Sequence, residues 1–132
     1  MDSIIDYYDM LGSPVLLNRG QLRELLESNR FYVYMLWRSD DRPLTPFYIG
    51  KGRNGRVFHH EMPSEASNNY KSNVIQKLTR ENHDVGYSIE YLENEEEAHV
   101  REVELIATIG RSNLSKGPLT NLTDGGEGTV GH

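Results

Sequence analysis

The chain of 132 residues predicts one small α/β layer domain with three strands among helices. Three runs carry that expectation. Phe31-Tyr32-Val33-Tyr34-Met35-Leu36-Trp37 is dense in aromatic and branched side chains, as a central strand covered on both faces would be. Phe47-Tyr48-Ile49 follows a polar, two-proline stretch from Ser39 to Pro46, so the two strands form an antiparallel hairpin. From Val85 to Glu93, Val85, Tyr87, Ile89 and Tyr91 alternate with Gly86, Ser88, Glu90 and Leu92, the pattern of a half-buried strand.

The remaining elements follow in order. Residues 1–18 show little periodicity, and Gly12, Ser13 and Pro14 interrupt any helix, so residues 1–30 read as a leader ending in a short helix from Gln21 to Asn29. Leu22, Leu25 and Leu26 give that helix one apolar stripe. A second helix is predicted from Asn69 to Asn82, with Val74, Ile75 and Leu78 inward. Asn94 has the N-cap spacing to Glu97, and Glu95 to Glu97 fill a first turn where the helix dipole favours negative charge. That last helix runs to Gly110, its natural stop. The domain is expected to span residues 31–128, with 129–132 as a tail.

Composition narrows the function classes. There is no cysteine, which removes disulfides and thiolate metal sites. The start carries Asp2, Asp6 and Asp9 rather than a basic flank and an apolar run, and no apolar stretch approaches membrane-spanning length. A soluble, cytoplasmic protein that does not bind membranes is expected. The net charge of −6 argues by itself against nucleic acid, but the charge is split. Lys51, Arg53, Arg56, Lys71, Lys77 and Arg80 face only Glu61 and Glu65 in the stretch 51–80, whereas residues 81–105 hold nine carboxylates and Arg101 alone. The average hides a candidate anion-binding face.

That face centres on Gly50, Gly52 and Gly55, where the backbone can take positive φ or lie close to a ligand. A helix starting near Arg53 would put Arg53, Arg56 and His60 at i, i+3 and i+7, a surface suited to phosphate. Gly50-x-Gly52-x-x-Gly55 also matches the dinucleotide fingerprint, but its context fails. The fingerprint requires a βαβ unit with an acidic residue about twenty positions on. Here a hairpin precedes the glycines, and Lys71, Lys77 and Arg80 follow them.

The last helix contains a carboxylate in an apolar setting. Glu102 projects from the stripe formed by Ala98, Leu105, Ile106 and Ile109. A buried carboxylate persists only when paired, hydrogen-bonded or bound to a cation. It therefore reads as half of a structural ion pair, with Arg56 as partner, as a residue at the edge of the stripe that reaches water, or as a Mg²⁺ ligand completed by water and substrate phosphate. His59, His60, His83 and His99 lack the paired spacing of a zinc site.

Taken together these residues resemble the GIY-YIG nuclease family, from about Phe31 to Gly128. Tyr32-Val33-Tyr34 stands where the family has its first motif, with Tyr32 in place of the glycine, and Tyr48-Ile49-Gly50 is the second motif unchanged. Arg56 and His60, then Glu102 ahead of Leu105-Ile106, then Asn121 in Thr120-Asn121-Leu122 follow in the family's order. The resemblance implies a three-stranded, largely antiparallel sheet flanked by helices, and metal-dependent hydrolysis of DNA with Mg²⁺, or Mn²⁺ in its place. It implies a motif tyrosine as the general base, here Tyr34 with Tyr48 the second candidate; a tyrosine of ordinary pKa of about 10 needs help to act as a base, from a neighbouring Lys51 or from a metal-bound water. Arg56 would clamp the scissile phosphate, His60 would contact phosphate or orient Tyr34, Asn121 would support the site, and Glu102 would hold the metal. Arg53, Lys71 and Lys77 are expected to meet the DNA backbone, with specificity left to a homodimer or a partner protein. The competing expectation is a non-catalytic nucleic-acid- or protein-binding module that keeps the fold.

Overall fold

A computed structural model describes residues 5–25, 30–40, 43–53 and 69–125. Its centre is a three-stranded sheet of β1 (Phe31–Arg38), β2 (Thr45–Arg53) and β3 (Val85–Leu92), in the order β2-β1-β3 with both pairings antiparallel. The aromatic run is the middle strand, as its composition predicts. Residues 32–37 are all buried because both faces of β1 are covered.

Alternation along β1 divides the core into two layers. Tyr32, Tyr34 and Leu36 pack with Leu22 of α2 (Arg19–Leu25), Leu78 of α3 (Asn69–Arg80), Phe47 and Tyr87. Val33, Met35 and Trp37 pack on the other face with Ile49 and Leu119, and with Ala98, Leu105, Ile106 and Ile109 of α4 (Glu95–Ile109). The Trp37 indole N–H donates to Ser88 Oγ at 2.8 Å, which satisfies the one polar atom of the largest buried side chain.

Two features differ from the sequence expectations. β2 does not end at Ile49. It continues through Gly50 and Gly52 to Arg53, so Arg53 lies on a strand and does not open a helix. The reason is packing. Gly50 pairs with Tyr34, and a Cβ at Gly50 would lie 2.5 Å from Tyr34 Cζ and Oη, so the glycine leaves room for a ring while its backbone stays extended. One residue also bulges out of β2: Trp37 pairs with Pro46 and Leu36 with Tyr48, so Phe47 is left over and joins Tyr48 on the α3 face.

The second difference is at the N-terminal side. The stretch read as patternless contains α1 (Tyr7–Met10), whose Tyr8 meets Trp37 edge-on with ring centroids 5.7 Å apart. Leu17 then exchanges two backbone hydrogen bonds with Tyr87 (2.8 and 3.1 Å) on the outer side of β3. Stacking and a single bridge have no sequence period, so pattern reading passes over them.

The start and stop of α4 follow the sequence closely. Asn94 Oδ1 accepts from the Glu97 N–H at 2.8 Å, and Glu97 Oε2 accepts from the Glu93 N–H at 3.1 Å. Gly110 ends the helix at φ 103°, where other residues are strained. At the opposite end of the sheet, Arg38 binds Asp40 with two hydrogen bonds of 2.9 Å, and Lys77 of α3 comes within 3.6 Å of the same carboxylate. The Arg38 hydrogen bonds, with the charges of Arg38 and Lys77, hold the Asp40 carboxyl at a pKa of about 2. No helix among the described residues is long and apolar enough to cross a membrane.

Candidate active site

The outer edge of β2 positions the site. Its backbone groups there would face solvent unpaired, and the segment after α4 covers them. The Thr120 N–H donates to the Phe47 carbonyl at 2.7 Å, and Thr120 Oγ1 donates to the same oxygen at 2.6 Å. Asn121 continues the pairing with its side chain. Ile49 N–H donates to Asn121 Oδ1 at 3.0 Å, and Asn121 Nδ2 donates to the Ile49 carbonyl at 2.7 Å. The amide thus imitates a strand residue. Its role is to clamp Ile49, directly beside Gly50.

On the α3 face of that edge stand the two motif tyrosines. Tyr34 is 7% exposed, its ring 6.2 Å from that of half-buried Tyr48 with the planes inclined at 38°. The tip of Tyr34 lies over Gly50. The cation beside the pair is Lys71 of α3, whose Nζ sits 4.3 Å above the centre of the Tyr48 ring. Lys51, expected as the neighbour of Tyr34, is elsewhere. It pairs across from Val33 and so belongs to the opposite face, where its nearly buried ammonium comes 3.6 Å from Glu95 in the first turn of α4. Strand alternation explains the shift: adjacent residues on a strand point to opposite faces.

Glu102 is buried, 7% exposed, as its place on the apolar stripe of α4 predicts. The chain beyond Asn121 returns over it: a Cβ at Gly125, where φ is +114°, would sit 3.2 Å from Glu102 Oε1. One helical turn before Glu102, the His99 ring directs Nδ1 to within 3.9 Å of Oε1. Glu95, His99 and Glu102 occupy i, i+4 and i+7, one stripe along α4. A buried carboxylate beneath a glycine, with a ring nitrogen alongside, is a setting that fits a divalent cation. Among the described residues no three His, Asp or Glu side chains converge to form a fuller metal cage.

The sheet therefore separates the expected residues into two groups. Tyr34, Tyr48 and Lys71 share one face, Glu102 and Lys51 the other, and Asn121 lies on the strand edge between them. Arg53, exposed at the end of β2, rests its guanidinium 4.8 Å from the centre of the Phe31 ring. Lys77 lies further off, engaged with Asp40, and its charge is partly offset there. Arg56 and His60 fall outside the described residues, as does the helix expected to carry them. His99 is the neighbour of Glu102 that sequence reading passed over. Its signal was the i, i+3 spacing to Glu102, hidden by a search for histidine pairs alone. No protein-family model, curated protein or solved structure matches this chain.

Proposed function

We propose that this protein is a divalent-cation-dependent endonuclease that hydrolyses phosphodiester bonds in DNA. The observation that carries the reading is the junction at Gly50. There a clamped strand edge carries the tyrosine pair with Lys71 on one face of the sheet, while Glu102, buried and covered by Gly125, stands on α4 against the opposite face. A tyrosine, with an ordinary pKa of about 10, needs nearby positive charge to accept a proton at neutral pH. Lys71, over the Tyr48 ring, supplies positive charge beside the pair. Tyr34 takes the proton from the attacking water, and Tyr48 packs against it and limits its motion. Glu102 would hold Mg²⁺ or Mn²⁺, and a metal bound there would supply Lewis-acid stabilisation of phosphate charge. Arg56 adds a bidentate contact to the phosphate, as the family resemblance implies. Arg53 and Lys71 meet the DNA backbone without reading sequence.

The test is incubation of the purified protein with supercoiled, branched and single-stranded DNA, in Mg²⁺ and in chelator. At least one form should be cut in Mg²⁺ and none in chelator. Cutting that survives chelation would remove the metal step. Binding without cutting of any form would instead favour a nucleic-acid-binding module on the same fold.

A further inference from the structure

We infer that His99 is a second protein ligand to the cation held by Glu102, giving a mixed oxygen and nitrogen site that favours Mn²⁺ over Mg²⁺. The inference rests on the proposed function only for Glu102 as a cation ligand. Its own footing is the imidazole. The His99 side chain is 39% exposed overall, yet its Nδ1 is shut off from solvent and has no hydrogen-bond partner among the described residues. Buried polar atoms are nearly always satisfied, and leaving one without a partner is unfavourable. A nitrogen in that position calls for an occupant.

The geometry indicates which one. Nδ1 lies 3.9 Å from Glu102 Oε1, beyond the reach of a direct hydrogen bond. Two donors that each bind one ion at about 2.1 Å lie about 3 Å apart in neighbouring octahedral positions, so a side-chain adjustment of about 1 Å brings this pair onto one ion. His99 and Glu102 are three residues apart on one helix, a spacing that brings both side chains to one ion. Gly125 presents no side chain to block Oε1. The donor set then sets the preference. Mg²⁺ takes oxygen and keeps its waters, whereas an imidazole ligand suits first-row transition ions. The remaining positions are left for water and phosphate oxygens.

The experiment is Mn²⁺ binding to the full chain, followed by electron paramagnetic resonance, with Mg²⁺ as competitor. In parallel, Mn²⁺ broadening of histidine ring signals is recorded by NMR. His99 should broaden first among the five histidines of the chain. His99→Asn should lower Mn²⁺ affinity at least about tenfold, since even residues that only orient a metal ligand cost that much when removed. Its Mg²⁺ affinity should move less than about threefold, because Asn still offers an oxygen of the kind Mg²⁺ accepts. Glu102→Gln should abolish the binding of both ions. Unchanged Mn²⁺ affinity in His99→Asn, or broadening of His99 no earlier than His83, would overturn the inference and leave Glu102 as sole ligand. Full Mn²⁺ binding by Glu102→Gln would sink this inference and the cation role of Glu102 together.

Discussion

Replacing Asn121 with alanine should destabilise the protein more than any ordinary surface change, because it removes two hydrogen bonds to one residue. The Asn121 side chain both accepts from and donates to Ile49, and neither residue is more than 3% exposed. Water has little access to the freed N–H and carbonyl. Each buried, unsatisfied group costs about 1–3 kcal/mol, so the loss should be about 2–6 kcal/mol, a large share of the stability of a small domain. Urea unfolding followed by circular dichroism should show a lower midpoint with an unchanged slope. Asn121→Asp refines the test. The carboxylate still accepts from the Ile49 N–H but sets a charged oxygen against the Ile49 carbonyl. Burial and that repulsion raise the pKa of the new acid in the folded state, so the folded protein binds more protons than the unfolded chain. Relative to the native protein, the variant is then weakest at neutral pH. It recovers as pH falls through the raised value toward the unfolded value near about 4, because the protonated acid can donate to the carbonyl. A loss below about 0.5 kcal/mol for Asn121→Ala, or a pH-independent penalty for Asn121→Asp, would refute the clamp.

Three further outcomes are expected. Tyr34→Phe should lower DNA cleavage by at least about a hundredfold, the scale of losing a general base, and Tyr48→Phe by less; a reversed rank in single-turnover assays would move the base to Tyr48. Gly50→Ala should cost about 1–3 kcal/mol through collision with Tyr34, and most of that cost should vanish in a Tyr34→Leu background, as a double-mutant cycle by chemical denaturation will measure. Asp40 has a carboxyl pKa lowered from 3.8 to about 2, so it contributes about 2 kcal/mol above the unfolded value, lost as pH falls through the folded one. Asp40→Asn should therefore be weaker than the native protein at pH 7 by about that amount, and the gap should close near pH 2.

Strands and helix ends were readable in the sequence wherever one local cause dominates. Phe31 to Trp37 carries its own burial pattern, the alternation from Val85 puts Val85, Tyr87, Ile89 and Tyr91 in one layer although burial along the strand does not alternate, and Asn94 and Gly110 carry their own caps. Glu102 was readable because one charge stands out on an apolar stripe. The expected helix start near Arg53 misled because Gly50 keeps an extended backbone and gives the Tyr34 ring its space, so the strand runs on to Arg53. The place of Lys51 relative to Tyr34 was not readable for a related reason: the tyrosine and lysine stand on different strands, and only the register fixes their relation. The resemblance marked Asn121 as a site residue, but its hold on Ile49 crosses 72 positions and leaves no local trace.

That long reach also sets an order of events. The β1–β2 hairpin can form early, since its strands are joined by a short turn. Closing the outer edge of β2 requires residues 72 and 73 positions further along the chain to be in place. During synthesis on the ribosome, the Phe47 and Ile49 backbone thus stays open while α3, β3 and α4 are being made. An exposed strand edge is a template for pairing with another chain. The nascent protein is most prone to misassociation in that interval, and the arrival of Thr120 and Asn121 ends it.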